Sequence, residues 1–563
     1  MGLSKFHKLP HKDGDGKSVG NPLAKAFLDK IQSGVLATYV ESNSEEGNLA
    51  EKVLKISKML SYWKSSHDRI KNQIVVKTPD ENKAIIPQIV TAGTLTRRAV
   101  EKTWLTASNA KTDRVGSELK AMVMAPPGHT FVGADVDSQE LWIAAVIGDS
   151  HFTGEHGSTA LGWMTLQGTK SEGTDMHSVT AKTVGVSRDE AKILNYGRIY
   201  GAGVRFASQL LQNFNPTLEK FDANQLANKM YLETKGDRSF VLNELGALCY
   251  YFRFGEFGDD FMKFNNMIVG NKDMLKCVKE KYKMDLLLEN VKSVQDDLVL
   301  SLAGSEMAVQ MDIPHSDADG VISRENVKWM FESLGHQQVK IGWDTITSYK
   351  DKMSKKSLWL NGSESHTFNK LEDIALNRKT QTPILGCAIS KALDSRVVGR
   401  DYLPSRINWV VQSSAVDYLH LLLTSMQWLM ETFQIEGRFV ISIHDEVRYL
   451  VKEEDKYRAA LALQFANLLV RAMFCSRLGM NSMPVDIAFF SGLDIDKVMR
   501  KEPTADCVTP SNPQGLCLGY GIPKGECLTI DDLIEKTGGK IDKVKHKNCV
   551  EEEIMSQEER LTV

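Results

Sequence analysis

Apolar positions recur at helical spacing from Ala50 to Trp63, and the run continues through Lys64, His67, Arg69 and Lys71. That spacing predicts one long helix with a basic end. A shorter run of the same kind, Leu23 to Ile31, predicts a second helix. Glu41 to Asn48 is polar throughout and reads as a linker, and the Gly, Lys, His and Asp of the first thirty positions read as extended chain. Further on, Thr130 to Asp137 reads as a buried strand that runs into a helix, Ser138 to Ile147. Ser187 to Tyr200 has the pattern of a capped helix. Ser187 and Glu190 form a Ser-x-x-Glu box, and Gly201 and Gly203 follow where a C-cap belongs. Ile407 to Thr432 predicts a long helix, Arg438 to Val451 a hairpin around His444-Asp445-Glu446, Asp455 to Leu478 a helix stopped by Gly479, and Val485 to Phe490 a strand. Residues 205–380 are the least patterned and read as mostly helical, with an acidic loop at Asp317 to Asp319. The stretch 501–563 is rich in Gly, Pro and charge and reads as a surface extension. Strands with helices on one side, split by a long helical insertion, predict an α+β fold.

Bulk properties narrow the picture little. With 563 residues the chain can bury more than one core. Its 42% hydrophobic and 25% charged content and mean hydropathy of −0.26 are ordinary for a globular protein. The richest apolar stretch, Leu419 to Leu429, is interrupted by polar residues and reads as a buried helix; no membrane partner is expected. Eight cysteines lie scattered without a Cys-x-x-Cys, which argues for reduced thiols and against a zinc site. A net charge of −3 neither requires nor excludes a basic face for nucleic acid.

Chemistry enters through two carboxylates at strand ends. Asp135 closes an apolar strand, and Asp445 sits at a hairpin tip with Glu446 beside it. A carboxylate in such a context is costly unless paired or bound to metal, and hard oxygen ligands of this kind suit Mg²⁺. Either one alone reads equally as a turn aspartate. The helix from Arg188 adds a third element, because Arg188, Lys192, Tyr196 and Tyr200 are four apart and share a slowly rotating stripe. Two cations and then two aromatics either grip a triphosphate and stack on a base, or form a solvated basic turn leading into core tyrosines.

Taken in order, DVDSQEL (135–141), Arg188-x3-Lys192-x7-Tyr200-Gly201 and His444-Asp445-Glu446 resemble motifs A, B and C of the family A DNA polymerases. TAGTLTRRAVEKTWLTASN (91–109), HGSTALGWMTLQG (156–168), GTDMHS (173–178), NYGRIYGAG (195–203), VVQSSAVDYLH (410–420) and SIHDEVRYLV (442–451) are similar to the mitochondrial members of that family in animals. The likeness runs from about residue 6 to about 525 and weakens in 205–380.

The resemblance implies a right-hand polymerase. Residues 75–155 and 405–500 would form the palm, an antiparallel sheet with helices; 156–404 a large helical fingers insertion; and 1–74 a partial thumb. It implies template-directed addition of deoxynucleotides to a primer 3′ end, in the mitochondrion, with two Mg²⁺ ions and Mn²⁺ as a substitute. Asp135, Asp445 and the Val136 carbonyl would hold the metals, with Glu446 nearby. Glu140, His177, Arg188, Lys192, Tyr196 and Tyr200 would bind the incoming nucleotide, Glu140 on the 2′ side of the sugar. Arg97, Arg98, Gln412 and His444 would touch the DNA. For His177, Gln412 and the arginine pair, a hydrogen-bonded structural role is the other reading. Primer–template DNA, deoxynucleoside triphosphates and an accessory processivity subunit are the expected partners. Neither a proofreading exonuclease nor a transit peptide is expected in this chain. A single-subunit RNA polymerase relative is a competing expectation, opposed by Glu140 and Glu446. The other competitor is a non-catalytic DNA-binding fragment.

Overall fold

Five strands far apart in the chain build the main sheet of the computed structural model: β1 His129–Asp135, β2 Gly437–Ile443, β3 Glu446–Lys452, β4 Leu493–Asp496 and β5 Glu526–Leu528. Their order is β5-β4-β1-β3-β2, and each neighbouring pair is antiparallel. The structure describes residues 45–542 apart from 78, 80–82, 108, 170–171, 216, 257–258, 293–299, 304–305, 310–340, 342 and 400–401. The expected helix Leu23 to Ile31 and the acidic loop Asp317 to Asp319 lie outside those residues.

The helices that matter here are α1 Glu45–Lys71, α2 Gln139–Phe152, α3 Met176–Val184, α4 Arg188–Ile199, α5 Leu403–Thr432, α6 Lys456–Arg477 and α7 Ile530–Thr537. Alternation along the strands decides where each side chain goes. Val132, Ala134, Val447, Tyr449, Leu493 and Ile495 enter a large core with Trp142 of α2, Tyr418 of α5 and Leu461 of α6. On the opposite face Phe131, Ile441 and Ile443 pack against Trp104, Leu105 and Leu119. The helix α6 has the length and apolarity of a membrane span, yet 67% of its most apolar window is buried, and it serves as a core helix.

Three expectations need correction. The polar linker gives way to helix by Glu45, because α1 begins within it. Val485 to Phe490 is not a strand: Val485–Ile487 is a single 3-10 turn after Pro484, and the strand lies at Leu493–Asp496. The stretch 501–563 does more than cover the surface. Leu528 pairs with Leu493 across β5 and β4, and Leu533 of α7 is fully buried in the main core.

Contacts divide the described chain into two units, the first up to Ala227 and from Lys370 onward, the second Asn228–Asn369. Besides its helices, the second contains an antiparallel sheet of Ile268–Gly270, Gly236–Leu242 and Ser354–Asn361. Phe240, Leu242 and Val269 of that sheet pack with Cys249, Met274, Cys277 and Met353 from its helices.

Candidate active site

Register brings the two acidic strand ends together. Glu446 pairs with Asp135 across β3 and β1, and the Val136 N–H donates to the Asp445 carbonyl at 3.1 Å. His444 and Asp445 form the two-residue turn between β2 and β3. His444 takes φ +61°, the left-handed value that such a tight turn demands. Burial, then the charges of Asp135 and Glu140, push the Asp445 carboxyl up to about 7. Asp135 Oδ2 meets Lys501 Nζ at 2.8 Å, while Asp135 Oδ1 is buried with no hydrogen-bond partner among the described residues.

A row of side chains supports this end of the sheet. Arg448, Gly133 and Asp494 are aligned across β3, β1 and β4. A Cβ on Gly133 would lie 2.3 Å from the Val447 carbonyl oxygen and 2.5 Å from Arg448 Cδ. The missing side chain lets the buried Arg448 cross β1 and bind Asp494 at 2.9 Å, while its Nε binds Glu446 at 2.7 Å. Glu446 is thus committed to Arg448 inside the protein.

The capping box of α4 is present as the sequence predicts: the Glu190 N–H donates to Ser187 Oγ at 3.3 Å and the Ser187 N–H to Glu190 Oε2 at 2.9 Å. From that fixed start, the Tyr196 and Tyr200 rings come 5.7 Å apart, and Lys192 Nζ lies 5.9 Å from the Tyr196 ring. Burial, then Glu140, Tyr200 and Asp445, raise the Tyr196 phenol, which puts this residue in the field of Glu140 and Asp445. Burial, then Glu140, raise the Tyr200 phenol as well, while Arg98 and Gln412 act to lower it. At the other end of the stripe Arg188 forks onto Asp175, at 2.9 Å from Nη2 and 3.3 Å from Nε. Asp175 also caps α3 by accepting the His177 N–H.

His177 is buried against this helix, its ring 5.8 Å from Tyr196. Asn195 Nδ2 donates to His177 Nδ1 at 3.2 Å, which leaves the proton of the neutral ring on Nε2. Burial and the Arg188 charge, only partly offset by Asp175, push its pKa down to about 4.

The arginine pair is held by protein carboxylates. Arg97, at φ +67°, binds Asp417 at 2.8 Å and Ser413 Oγ at 2.9 Å on α5, and Arg98 forms an ion pair with buried Glu140. His444 is exposed at the hairpin turn. Sequence reasoning missed Lys501, Asp175, Asn195, Arg448 and Asp494. Asp175 stands two positions before His177 in GTDMHS and had a local signal as the cap of α3. Lys501 and Asp494 had none, since Asp135 is hundreds of positions from Lys501 and Arg448 lies on another strand from Asp494.

No protein-family model matches the chain. DNA polymerase subunit gamma-1 of Gallus gallus is 48% identical over 556 residues, covering 96% of this chain and 75% of that protein. The chain belongs to the DNA polymerase gamma family. Other members include the Xenopus laevis subunit gamma-1, 47% identical over 95% of this chain and 40% of its own length. The Drosophila melanogaster protein, named DNA polymerase subunit gamma-1, mitochondrial, is 44% identical over 95% of this chain and 41% of its own. The chain therefore spans three quarters of the chicken polymerase gamma and about two fifths of the frog and fly ones. In this chain the acidic pair, the α4 stripe and His177 all lie in the first compact unit.

Proposed function

We propose that this chain catalyses template-directed DNA synthesis, transferring deoxynucleotides to a primer 3′ end as a nucleotidyltransferase of the mitochondrion. The observation that supports the reading is that Asp135 and Asp445 share one end of the sheet, with Tyr196 of α4 in the field of Asp445. Family membership supports it, as does the word mitochondrial in the names of the Drosophila melanogaster and Neurospora crassa relatives. Primer–template DNA and deoxynucleoside triphosphates are the proposed ligands, and an accessory processivity subunit the proposed partner.

The donor set fits Mg²⁺. The orphaned Asp135 Oδ1 and the destabilised charge of Asp445 both call for a cation. Among the described residues no group of three or more His, Cys, Asp or Glu is spaced to hold a metal ion. Mg²⁺ needs no such cage, because it takes one or two carboxylates and completes its shell with phosphates and water. Asp135, Asp445 and the Val136 carbonyl would hold two ions, with Mn²⁺ as a substitute; when bound, they lower the pKa of the 3′-OH and neutralise the triphosphate. Arg188 and Lys192 would hold the phosphates, and neutral His177 would offer them its Nε2–H. Tyr196 would lie against the sugar and Tyr200 near the templating base. Glu140, held by its ion pair with Arg98, would close the 2′ side. Gln412 and His444 would contact the primer terminus, and Arg97 and Arg98 would shape this surface, touching DNA only by leaving their carboxylates.

In this reading 75–155 and 405–500 form the palm, 156–404 the fingers and 1–74 part of a thumb. Primer extension by the purified chain tests it. Asp135→Asn and Asp445→Asn should each lower Mg²⁺-dependent extension about a thousandfold or more while circular dichroism stays unchanged. Extension within tenfold of wild type in either variant would remove the metal assignment.

A further inference from the structure

The cation beside the acidic pair is a lysine that no motif marks. Lys501 follows β4 and is held in place by its neighbour. The buried Arg500 binds Asp496 at 2.5 and 3.1 Å, the Ala505 carbonyl at 2.8 Å and the Pro523 carbonyl at 2.6 Å. Four bonds on one guanidinium fix the backbone from which Lys501 reaches Asp135. The Lys501 side chain itself is 38% exposed, so it can leave Asp135 for solvent without breaking that anchor.

The local charge balance makes this contact consequential. Asp135 pairs in register with Glu446, and the Val136 N–H bonds the Asp445 carbonyl at 3.1 Å, so the two aspartates share one end of the sheet. Arg98 is paired with Glu140, and Arg448 with Glu446 and Asp494. Lys120 is buried, and its strongest carboxylate neighbour is Glu446. Among the described residues Lys501 is the ammonium that directly bonds an aspartate of the pair, and it occupies one Asp135 oxygen while the other has no partner there.

We propose that Lys501 is the resident counter-cation of the Asp135–Asp445 pair, a positioning residue that holds Asp135 in the metal-free chain and must leave it when a divalent ion binds. This rests on the metal-site reading above. A divalent ion and the ammonium then compete for Asp135 Oδ2, so Lys501 stabilises the empty site and weakens metal binding before nucleotide arrives.

Mn²⁺ binding to the full chain without DNA or nucleotide, followed by the electron paramagnetic resonance of free Mn²⁺, tests the competition. Lys501→Gln should bind Mn²⁺ roughly fivefold more tightly than wild type, the fold expected from removing one partly exposed ion pair. Lys501→Arg should retain wild-type affinity. Thermal unfolding supplies the second readout: Lys501→Gln should lower Tm in EDTA and recover it when Mn²⁺ is added. Unchanged or weaker Mn²⁺ binding by Lys501→Gln overturns the proposal, as does a Tm loss of equal size with and without Mn²⁺. Absence of any Mn²⁺ binding that Asp135→Asn removes would instead overturn the metal site itself, and the role of Lys501 with it.

Discussion

His177 faces Arg188 and Lys192, with Asp175 as the nearest acid and Asn195 bonded to its ring. Its pKa is about 4 in the folded chain against 6.5 ordinarily, so the unfolded chain takes up the proton first as pH falls. Stability from this group is complete above about pH 6.5 and is lost as pH drops toward 4, by at most about 3 kcal/mol. His177→Gln should therefore flatten the fall in Tm between pH 6.5 and 4, and an unaltered curve would count against a buried neutral ring. Tyr196 lends itself to a kinetic test. If its hydroxyl lies against the nucleotide sugar, it can replace a polar partner that a 3′-deoxy sugar lacks. One such partner in a desolvated site is worth about 1–3 kcal/mol. Tyr196→Phe should then increase discrimination against dideoxynucleotides at least about tenfold, with little change for normal substrates. Equal selectivity in the two proteins would return Tyr196 to the role of a core aromatic.

Among the elements, β1 and the β2–β3 hairpin show how far local pattern reaches. Their apolar runs end at Asp135 and at His444-Asp445, and the structure keeps those ends. The α4 cap was equally legible, since Ser187 and Glu190 are neighbours in the chain as well as in space. What was not legible is what joins these elements. LDID of β4 resembles a polar turn because Asp494 and Asp496 look solvated; both are buried only because Arg448 and Arg500 reach them. Arg98 and Glu140 were both singled out, yet their ion pair could not be read from either segment. Gly133 carries the argument into a prediction. Any side chain there meets the Val447 carbonyl and the stem of Arg448, neither of which can withdraw without opening β1 from β3. Gly133→Ala should lower stability by about 1–3 kcal/mol, read as Tm, and should reduce primer extension because Asp135 and Asp445 sit on those two strands.

On the scale of the whole molecule, the main sheet is assembled from pieces that begin at His129 and end at Leu528, and its last strand comes from a segment whose composition suggested only a surface covering. Leu528, Leu533 and Ile541 all join the core that contains Val132 and Val447. Glu526 binds Lys456 at 3.1 Å and the Tyr457 hydroxyl at 3.1 Å, and Arg458 donates to the Ile541 carbonyl at 3.0 Å, so α6 is clasped along its first turn. Three large aliphatic side chains removed from water contribute roughly 5 kcal/mol together, a large share of the net stability of an ordinary domain. Ending the chain after Pro523 would expose the outer edge of β4 and the apolar surface of α6 that α7 covers. It would leave Lys501 and every proposed ligand in the sequence. A protein shortened in this way should lose Tm and become prone to aggregation, with primer extension falling in parallel with the folded fraction rather than through the chemistry. Unchanged Tm and activity on such truncation would show that β4 needs no partner at its outer edge, and that the main sheet is complete with four strands.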